Sequence, residues 1–475
     1  MNSEIVNSDD LFTQAVTFHQ QGMFDKAQSC YQQVLLQNPD HLSSWINLGV
    51  LNRRNKRYST SLLCYQRALA LKADDAGILS NMANVLKDSD RVEEAIHYAQ
   101  KAVDIEPENV TFRHNLAIAL REDKQFELSL QELNTCLSIQ PDNPNLQWDR
   151  SLVLLMMQKF SEGFLAFEAR WKTGDLPQPN VPSHCKRWKG QPFKGEKLLL
   201  LTEQGFGDTI FCIRYIHLVC QLGGEVILEC KSPLKRLFSN LPVTLLSFEA
   251  ARDGIDWYCP MMSLPGLFLG QEPPPPKLYI PKSITIQLSE RLASERGNLQ
   301  VGIIWSGSVT YGDNDKRSIS LSSLLPIFES LPEVRFYSLQ KGPKEHELRE
   351  SGLQVLIPDF GSELDDFAET AALLKRLDLL VMTDSACVHL AGSINTPIIN
   401  LLQYKPGWVY FPESYTSRWY PSMRILRQQT SGDWEPVLVQ LQFLLSELAK
   451  SKHINLQHTD VLNILDKFET RSTSA

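Results

Sequence analysis

A register of 34 residues runs unbroken through the first third of this chain. Phe24, Tyr58, Val92, Phe126 and Phe160 fall at one phase. Ala27, Ser61, Ala95, Ser129 and Gly163 fall at a second, and all five are small. Tyr31, Tyr65, Ala99, Leu133 and Phe167 hold a third, and Pro39, Ala73, Pro107 and Pro141 a fourth. Five units keep this spacing without an insertion. A fixed period of this length means stacked supersecondary units. One unit cannot bury its apolar face alone, so neighbours must cover it.

The segment "WINLG" (Trp45 to Gly49), the small-x3-aromatic pairs "AQSCY" and "SLLCY", and the closing proline resemble the tetratricopeptide repeat. The resemblance implies two antiparallel helices per unit. Small residues at the Ala27 phase let the second helix approach the first, and aromatics fill the space between units. Proline ends the second helix. Stacked units then form a right-handed superhelix with a concave groove, expected to hold a protein or peptide partner. A scaffold or a homo-oligomer surface is the plainer alternative. Asn47, Asn81 and Asn115 share a phase, with Asp149 next in line. They are candidates for an inner strip of amides bonding a peptide backbone; ordinary helix polars are the alternative.

Composition narrows the classes. At 475 residues the chain has room for about three domains. A net charge of −8 argues against diffuse nucleic-acid binding. Nine scattered cysteines with no CxxC pair fit reduced thiols in the cytoplasm rather than zinc or disulfides. No apolar run approaches the ~20 residues of a membrane span, and the N-terminus lacks the basic and apolar regions of a signal peptide. The expected organisation is a repeat domain at 1–172, a proline-rich linker at 173–196, one strand–helix series at 197–282, a second at 283–450, and a tail at 451–475. The fold class is therefore multidomain: an α-solenoid followed by an α/β region of two Rossmann-like halves. Within it, "DTIFCIRYIHLVCQLGG" reads as one helix and "LQVLIPDFGS" as a strand.

Ligands of open parallel sheets sit beyond the carboxyl ends of the strands. The segments expected there are "EQGFGD" (Glu203 to Asp208), "WSGSVTYGDNDKRS" (Trp305 to Ser318), "SLQKG" (Ser338 to Gly342), "PDFGS" (Pro358 to Ser362) and "TDSACVHLAG" (Thr383 to Gly392). In the last, Asp384 and Ser385 open a helix, where unpaired N–H groups favour an anion. A phosphate there would take N–H bonds from Ser385, Ala386 and Cys387, with His389 reaching phosphate or sugar. An Asp cap with a buried His is the structural alternative. No cluster has metal-site spacing, so no metal or other cofactor is expected.

"VMTDSACVHLAGSINTPIINLL" resembles the nucleotide-binding segment of the heptosyltransferase-like glycosyltransferases (glycosyltransferase family 9, GT-B fold), whose pattern is D-[TS]-x-x-x-H-L-A after a strand. "GFGD" is similar to their G-x-G-D loop, and "NDKRSISL" to the basic segment that holds the donor phosphates. The likeness spans about Lys197 to Lys450. A repeat array ahead of such a region also resembles bacterial flagellin glycosyltransferases and protein O-linked N-acetylglucosamine transferases, whose repeats select a protein acceptor.

The resemblance implies metal-independent, inverting transfer from a nucleotide-sugar. Asp208 would be the base, aimed by Gly205 and Gly207, or else merely a cap of its helix. Lys316 and Arg317 would neutralise the diphosphate. Ser306, Ser308, Gln340 and Lys341 would complete the donor site with Asp384, Ser385, Ala386 and His389. Transfer to lipopolysaccharide or another glycan, or a degenerate transferase serving as a non-catalytic repeat adaptor, are the alternatives. Arg214 stands where an apolar residue would serve, and is a candidate contact for an acceptor or a sugar carboxylate.

Overall fold

The computed structural model describes residues 7–203, 205–293, 298–308, 312, 314–405, 407–411, 414–451 and 458–472. The chain divides into two compact units, Met1–Gly174 and Asp175–Ala475.

The first unit is a stack of helix pairs, running from Ser8–Gln20 with Phe24–Gln37 to Pro144–Met156 with Phe160–Phe167. The small phase behaves as its size demands: Ala27, Ser61, Ala95 and Ser129 are all fully buried. Where that residue is serine, its hydroxyl bonds the facing helix: Ser61 to Gly49 O at 2.6 Å and Ser129 to Ala117 O at 2.7 Å. A Cβ on Gly163 would stand 2.8 Å from Leu155 Cδ2, so this last unit tolerates only glycine. The aromatic phase is equally closed, with Tyr31 and Tyr65 at 0% and 1% exposure.

Two further phases set the ends of the helices. Asn7, Asp75, Asn109 and Asn143 cap the first helices through side-chain oxygens, and His41 does so through its ring. The turn inside each unit puts Gly22, Lys56, Asp90, Lys124 and Gln158 in the left-handed region, with φ between 56° and 74°. Only the first of these is glycine.

The second unit holds two five-stranded parallel sheets. The first comprises β1 (Lys186–Arg187), β2 (Lys197–Leu201), β3 (Glu225–Glu229), β4 (Thr244–Leu246) and β5 (Trp257–Pro260), in the order β1-β5-β2-β3-β4. The second comprises β6 (Leu299–Ile304), β7 (Val334–Ser338), β8 (Leu379–Thr383), β9 (Ile398–Leu402) and β10 (Met423–Arg427), in the order β10-β9-β8-β6-β7. β2 is buried from Leu198 to Leu201, and β8 and β9 are buried along their length and apolar but for Thr383 and Asn400, as strands covered on both faces must be.

Several expectations are corrected. The segment 173–196 is not only a linker: β1 pairs with β5, and Trp188, 1% exposed, packs beside Phe193 and Phe268. The long helix after Asp208 is broken into Phe206–Cys212, a 3₁₀ turn Ile213–Tyr215, and Ile216–Cys220. "LQVLIPDFGS" forms no strand. Gly352 turns left-handed before a short 3₁₀ segment, Val355 and Leu356 are 80% and 62% exposed, and only a single bridge links Asp359 to Ser338. Part of the tail is a helix, His458–Ser472, with Val461 and Leu465 buried in the core of the second sheet. No helix among the described residues is long and apolar enough to cross a membrane.

Candidate functional site

Strand order decides where a ligand fits. In the first sheet the chain leaves β2 toward β3 and β4 on one side, while β5 lies on the other. In the second it leaves β6 toward β7 on one side, while β8, β9 and β10 lie on the other. Each sheet thus has a switch point where loops diverge and leave a crevice. The Asp208 loop follows β2. The Trp305 and Asp384 loops follow β6 and β8. The three motifs with the clearest chemistry therefore stand at the two switch points.

The two halves meet there. A Cβ on Gly207 would lie 2.9 Å from His389 Cδ2 and 3.4 Å from Ala386 Cα, so this glycine permits the first turns of Phe206–Cys212 and Ala386–Ser393 to touch. Phe211 packs 5.8 Å from the His389 ring and 5.1 Å from Trp419, centre to centre.

Asp208 lies in the first turn of its helix, and its Oδ2 accepts the Gly205 N–H at 2.9 Å. It therefore caps the helix, as the structural alternative expected. Its surroundings do more than capping needs. Burial, with the carboxylates of Asp384 and Glu203 nearby, pushes its pKa up to about 6. Glu203 in turn accepts the Met262 N–H at 3.0 Å. Thr202 bonds buried Glu229 through both N–H and hydroxyl at 3.2 Å, and Arg252 pairs with the same carboxylate. These contacts pin the loop ahead of Asp208.

On the facing side, Asp384 accepts the Tyr410 hydroxyl at 2.8 Å and lies 3.9 Å from Arg317 NH1. Burial raises its pKa, against the pull of Arg317. His389 is 8% exposed, and its Nδ1 lies 3.1 Å from the Tyr420 hydroxyl. Burial first, and then the Arg214 charge, push its pKa down to about 3, so the ring is neutral at ordinary pH. Cys387 is inert as a nucleophile, because burial pushes its thiol up to about 12. Ser385 occupies the N-cap position of this helix and Ala386 its first turn, with no side-chain cap bond to the N–H groups.

Arg317 lies over Gly307, where a Cβ would meet its guanidinium at 2.6 Å, and its Nε donates to Asn314 Oδ1 at 3.1 Å. Lys316 and Ser308 are exposed at the rim. Residues 309–311 and 313 of that loop, like Gln204 in the first, lie outside the described residues.

Other expected ligands have structural work instead. Gln340, 1% exposed, accepts from Trp305 N and Ser306 N and donates to Ser306 O and Lys341 O. Every one of its hydrogen-bonding positions ties the ends of β6 and β7, so it does not face a nucleotide. Lys341 Nζ is held by Gly361 O at 2.8 Å and by Leu364 O. Ser306 Oγ sits between Ser318 Oγ and the Asn314 amide, 2.9 and 3.1 Å away. Arg214 is sealed in at 2% exposure and cannot meet an acceptor or a sugar carboxylate.

In the repeat unit the asparagine strip is half-buried and partly engaged. Asn115 donates to Ser80 Oγ at 2.8 Å, and Asn47 bonds the Tyr31 hydroxyl. Asp149, next at that phase, is held by His114 and Arg121 at 2.7 and 2.6 Å. The Asn81 side chain is half-buried as well.

Sequence reasoning missed Tyr410, Tyr420, Asn314 and Glu229. The first two come from the stretch between β9 and β10, which carries no motif. Glu229 alone left a signal: an acid directly after the apolar run Val226 to Leu228.

Tetratricopeptide-repeat family models match residues 12–76 and 76–109. The first unit is a tetratricopeptide array. Protein FlbA of Caulobacter vibrioides is 27% identical over 343 residues, covering 64% of this chain. The chain spans 56% of the length of that relative. Among solved structures, the chain is similar to Pseudomonas aeruginosa pilF (17% identity, 36% of this chain and 78% of that one, TM-score 0.33). It is also similar to YrrB, described as a TPR protein with an unusual peptide-binding site (12% identity, 36% and 88%, TM-score 0.31).

Proposed function

We propose that the second unit is a glycosyltransferase that takes a sugar from a nucleotide-sugar, and that the repeat array selects a protein acceptor. The observation that carries the reading is the meeting of Asp208 with the Asp384–His389 helix start, at the switch points of two parallel sheets.

A base that removes a hydroxyl proton works best with a pKa near the working pH. Asp208 at about 6 fits that need better than an ordinary aspartate. The leaving diphosphate would face Arg317 and the N–H groups of Ser385, Ala386 and Cys387, where a fixed cation and a helix start stabilise charge as it develops. His389, neutral and tied to Tyr420, would hold a sugar or phosphate oxygen by a hydrogen bond. Lys316 at the rim would draw the donor in. The chemistry proposed is metal-independent and inverting.

The test is a calorimetric screen of nucleoside diphosphates and nucleotide-sugars, followed by transfer of labelled sugar to protein. One nucleotide family should bind at micromolar Kd, and its sugar should appear on serine or threonine. Failure of every nucleotide to bind would refute the reading. Label appearing only in polysaccharide would move the acceptor from protein to glycan.

A further inference from the structure

Arg214 is the buried charge that neither packing nor the proposed chemistry uses. It sits on the 3₁₀ turn Ile213–Tyr215, directly after the helix that carries Asp208. Its Nε donates to Phe211 O at 3.0 Å, and NH1 reaches Trp419 O at 3.4 Å. The guanidinium carbon stands 4.7, 5.4 and 4.9 Å from the ring centres of Phe211, Trp419 and Tyr420. It forms no ion pair among the described residues. Burying a charge without a counter-ion costs several kcal/mol in solvation, so the charge is kept at a cost in stability. The geometry shows what the charge does instead.

We propose that Arg214 is a positioning residue of the cleft: it clamps the Asp208 helix of the first half to the Trp419–Tyr420 segment of the second, and through Tyr420 it sets the orientation of His389. The link is continuous. Tyr420 is fully buried, and its ring lies so close over Gly392 that a Cβ there would meet Tyr420 Cγ at 2.4 Å. Its hydroxyl then reaches His389 Nδ1 at 3.1 Å. One guanidinium thus bears on the helix of the candidate base and, through one tyrosine, on the helix of the imidazole.

The clamp has an electrostatic consequence. The titratable and charged groups around His389 are Arg214, Tyr420 and Tyr410, Asp208 beside Gly207, and Asp384 and Cys387 at its own helix start. Arg214 adds to burial in keeping the imidazole uncharged. A protonated His389 would stabilise the Asp208 carboxylate, lower its pKa and make it a weaker base.

The geometric part stands alone; only the kinetic readout rests on the glycosyl-transfer reading. The test follows the His389 ring resonances of the full chain by NMR from pH 4.5 to 8, assigned with His389→Gln. In the native chain the ring should not titrate in this range. In Arg214→Met its midpoint should rise from about 3 by about one pH unit or more, so that partial protonation shows at the acid end of the range, and Arg214→Lys should restore the native behaviour. Tyr420→Phe, which removes only the hydroxyl, should shift the Nδ1 resonance without unfolding, and it decides the matter should Arg214→Met fail to fold. For donor turnover, Arg214→Met should lower kcat about 10–100-fold with KM within about threefold, the signature of lost positioning. Identical His389 resonances in the native chain and both variants would overturn the proposal. Shifted resonances in a chain that turns over no nucleotide-sugar would leave the clamp standing and overturn the transferase reading.

Discussion

The two units handle charge in opposite ways. In the repeat array, half-buried charges find partners on neighbouring helices: Arg113 with Glu132 at 2.6 Å, Arg121 with Asp149 at 2.6 Å, Arg53 with Asp88 at 2.7 Å. Asp88 and Asp149 keep pKa values below the ordinary one as a result. In the α/β unit, the charges at the cleft are placed where folding gains little from them. Asp208 and Asp384 are both pushed up, His389 is pushed down, and Arg214 has no counter-ion among the described residues. Residues that packing explains build the first unit. Residues that packing does not explain gather at one place in the second, and perturbed groups of this kind concentrate where chemistry is done.

The comparison breaks or sharpens at four points. The largest effect belongs to the repeat core. Tyr65→Ala empties the space over Gly49 and should cost about 3–5 kcal/mol. Followed by circular dichroism and nucleotide titration together, it should lower the repeat transition and leave nucleotide binding intact. Loss of both would mean the units are not separable in energy.

Second, Arg317→Ala should weaken nucleoside diphosphate binding by about 1.5–3 kcal/mol, tenfold or more in Kd by calorimetry. An unchanged Kd would remove this residue from the donor site.

Third, Asp208→Asn should act on stability with a definite sign. The folded pKa of about 6 lies above the ordinary value of 3.8, so the folded state binds this proton more tightly than the unfolded one. The stabilisation from that proton is fully present below the ordinary value and is lost as pH rises through about 6. The neutral amide should therefore raise Tm at pH 8 and bring little change at pH 4. A repeat-unit control, Asp149→Asn, should lower Tm at pH 8, because that carboxylate is paired.

The smallest effect is Lys124→Gly. Lys124 sits at φ 62°, and glycine there should add about 0.5–1 kcal/mol, read as a modest rise in the repeat transition.

Much of this was legible in the sequence because burial repeats. Four phases at 34 residues located every helix pair, since each phase answers one packing demand. Two more phases were present and unread. The caps at 7, 41, 75, 109 and 143 include a histidine, and the left-handed turns at 22, 56, 90, 124 and 158 are mostly lysine, aspartate and glutamine. Tertiary packing holds those turns, so composition did not announce them.

In the α/β unit, the loops after β2, β6, β7 and β8 were found at the carboxyl ends of those strands, whereas Pro358 to Ser362 follows no strand. Their individual ligands were less legible. Gln340 and Lys341 look like binding residues because they are polar and follow a strand, yet the structure spends them on loop carbonyls and N–H groups. Tyr410 and Tyr420 reach Asp384 and His389 from 26 and 31 residues away, a proximity that no local pattern encodes. Strand β5, "WYCP", is too short for a sequence pattern to mark, although it lies between β1 and β2, one place in from the sheet's edge.

The account turns on Asp208 as a base with a pKa tuned by its place in the cleft. Its most direct test is the pH dependence of sugar transfer by the native chain and by Asp208→Asn, between pH 4.5 and 8. The native rate should rise with deprotonation of a group near pH 6, and the variant should be about 10²–10⁴-fold slower with that limb gone. A variant that transfers sugar at the native rate, with the same limb, would contradict the assignment and leave Asp208 as the cap of its helix.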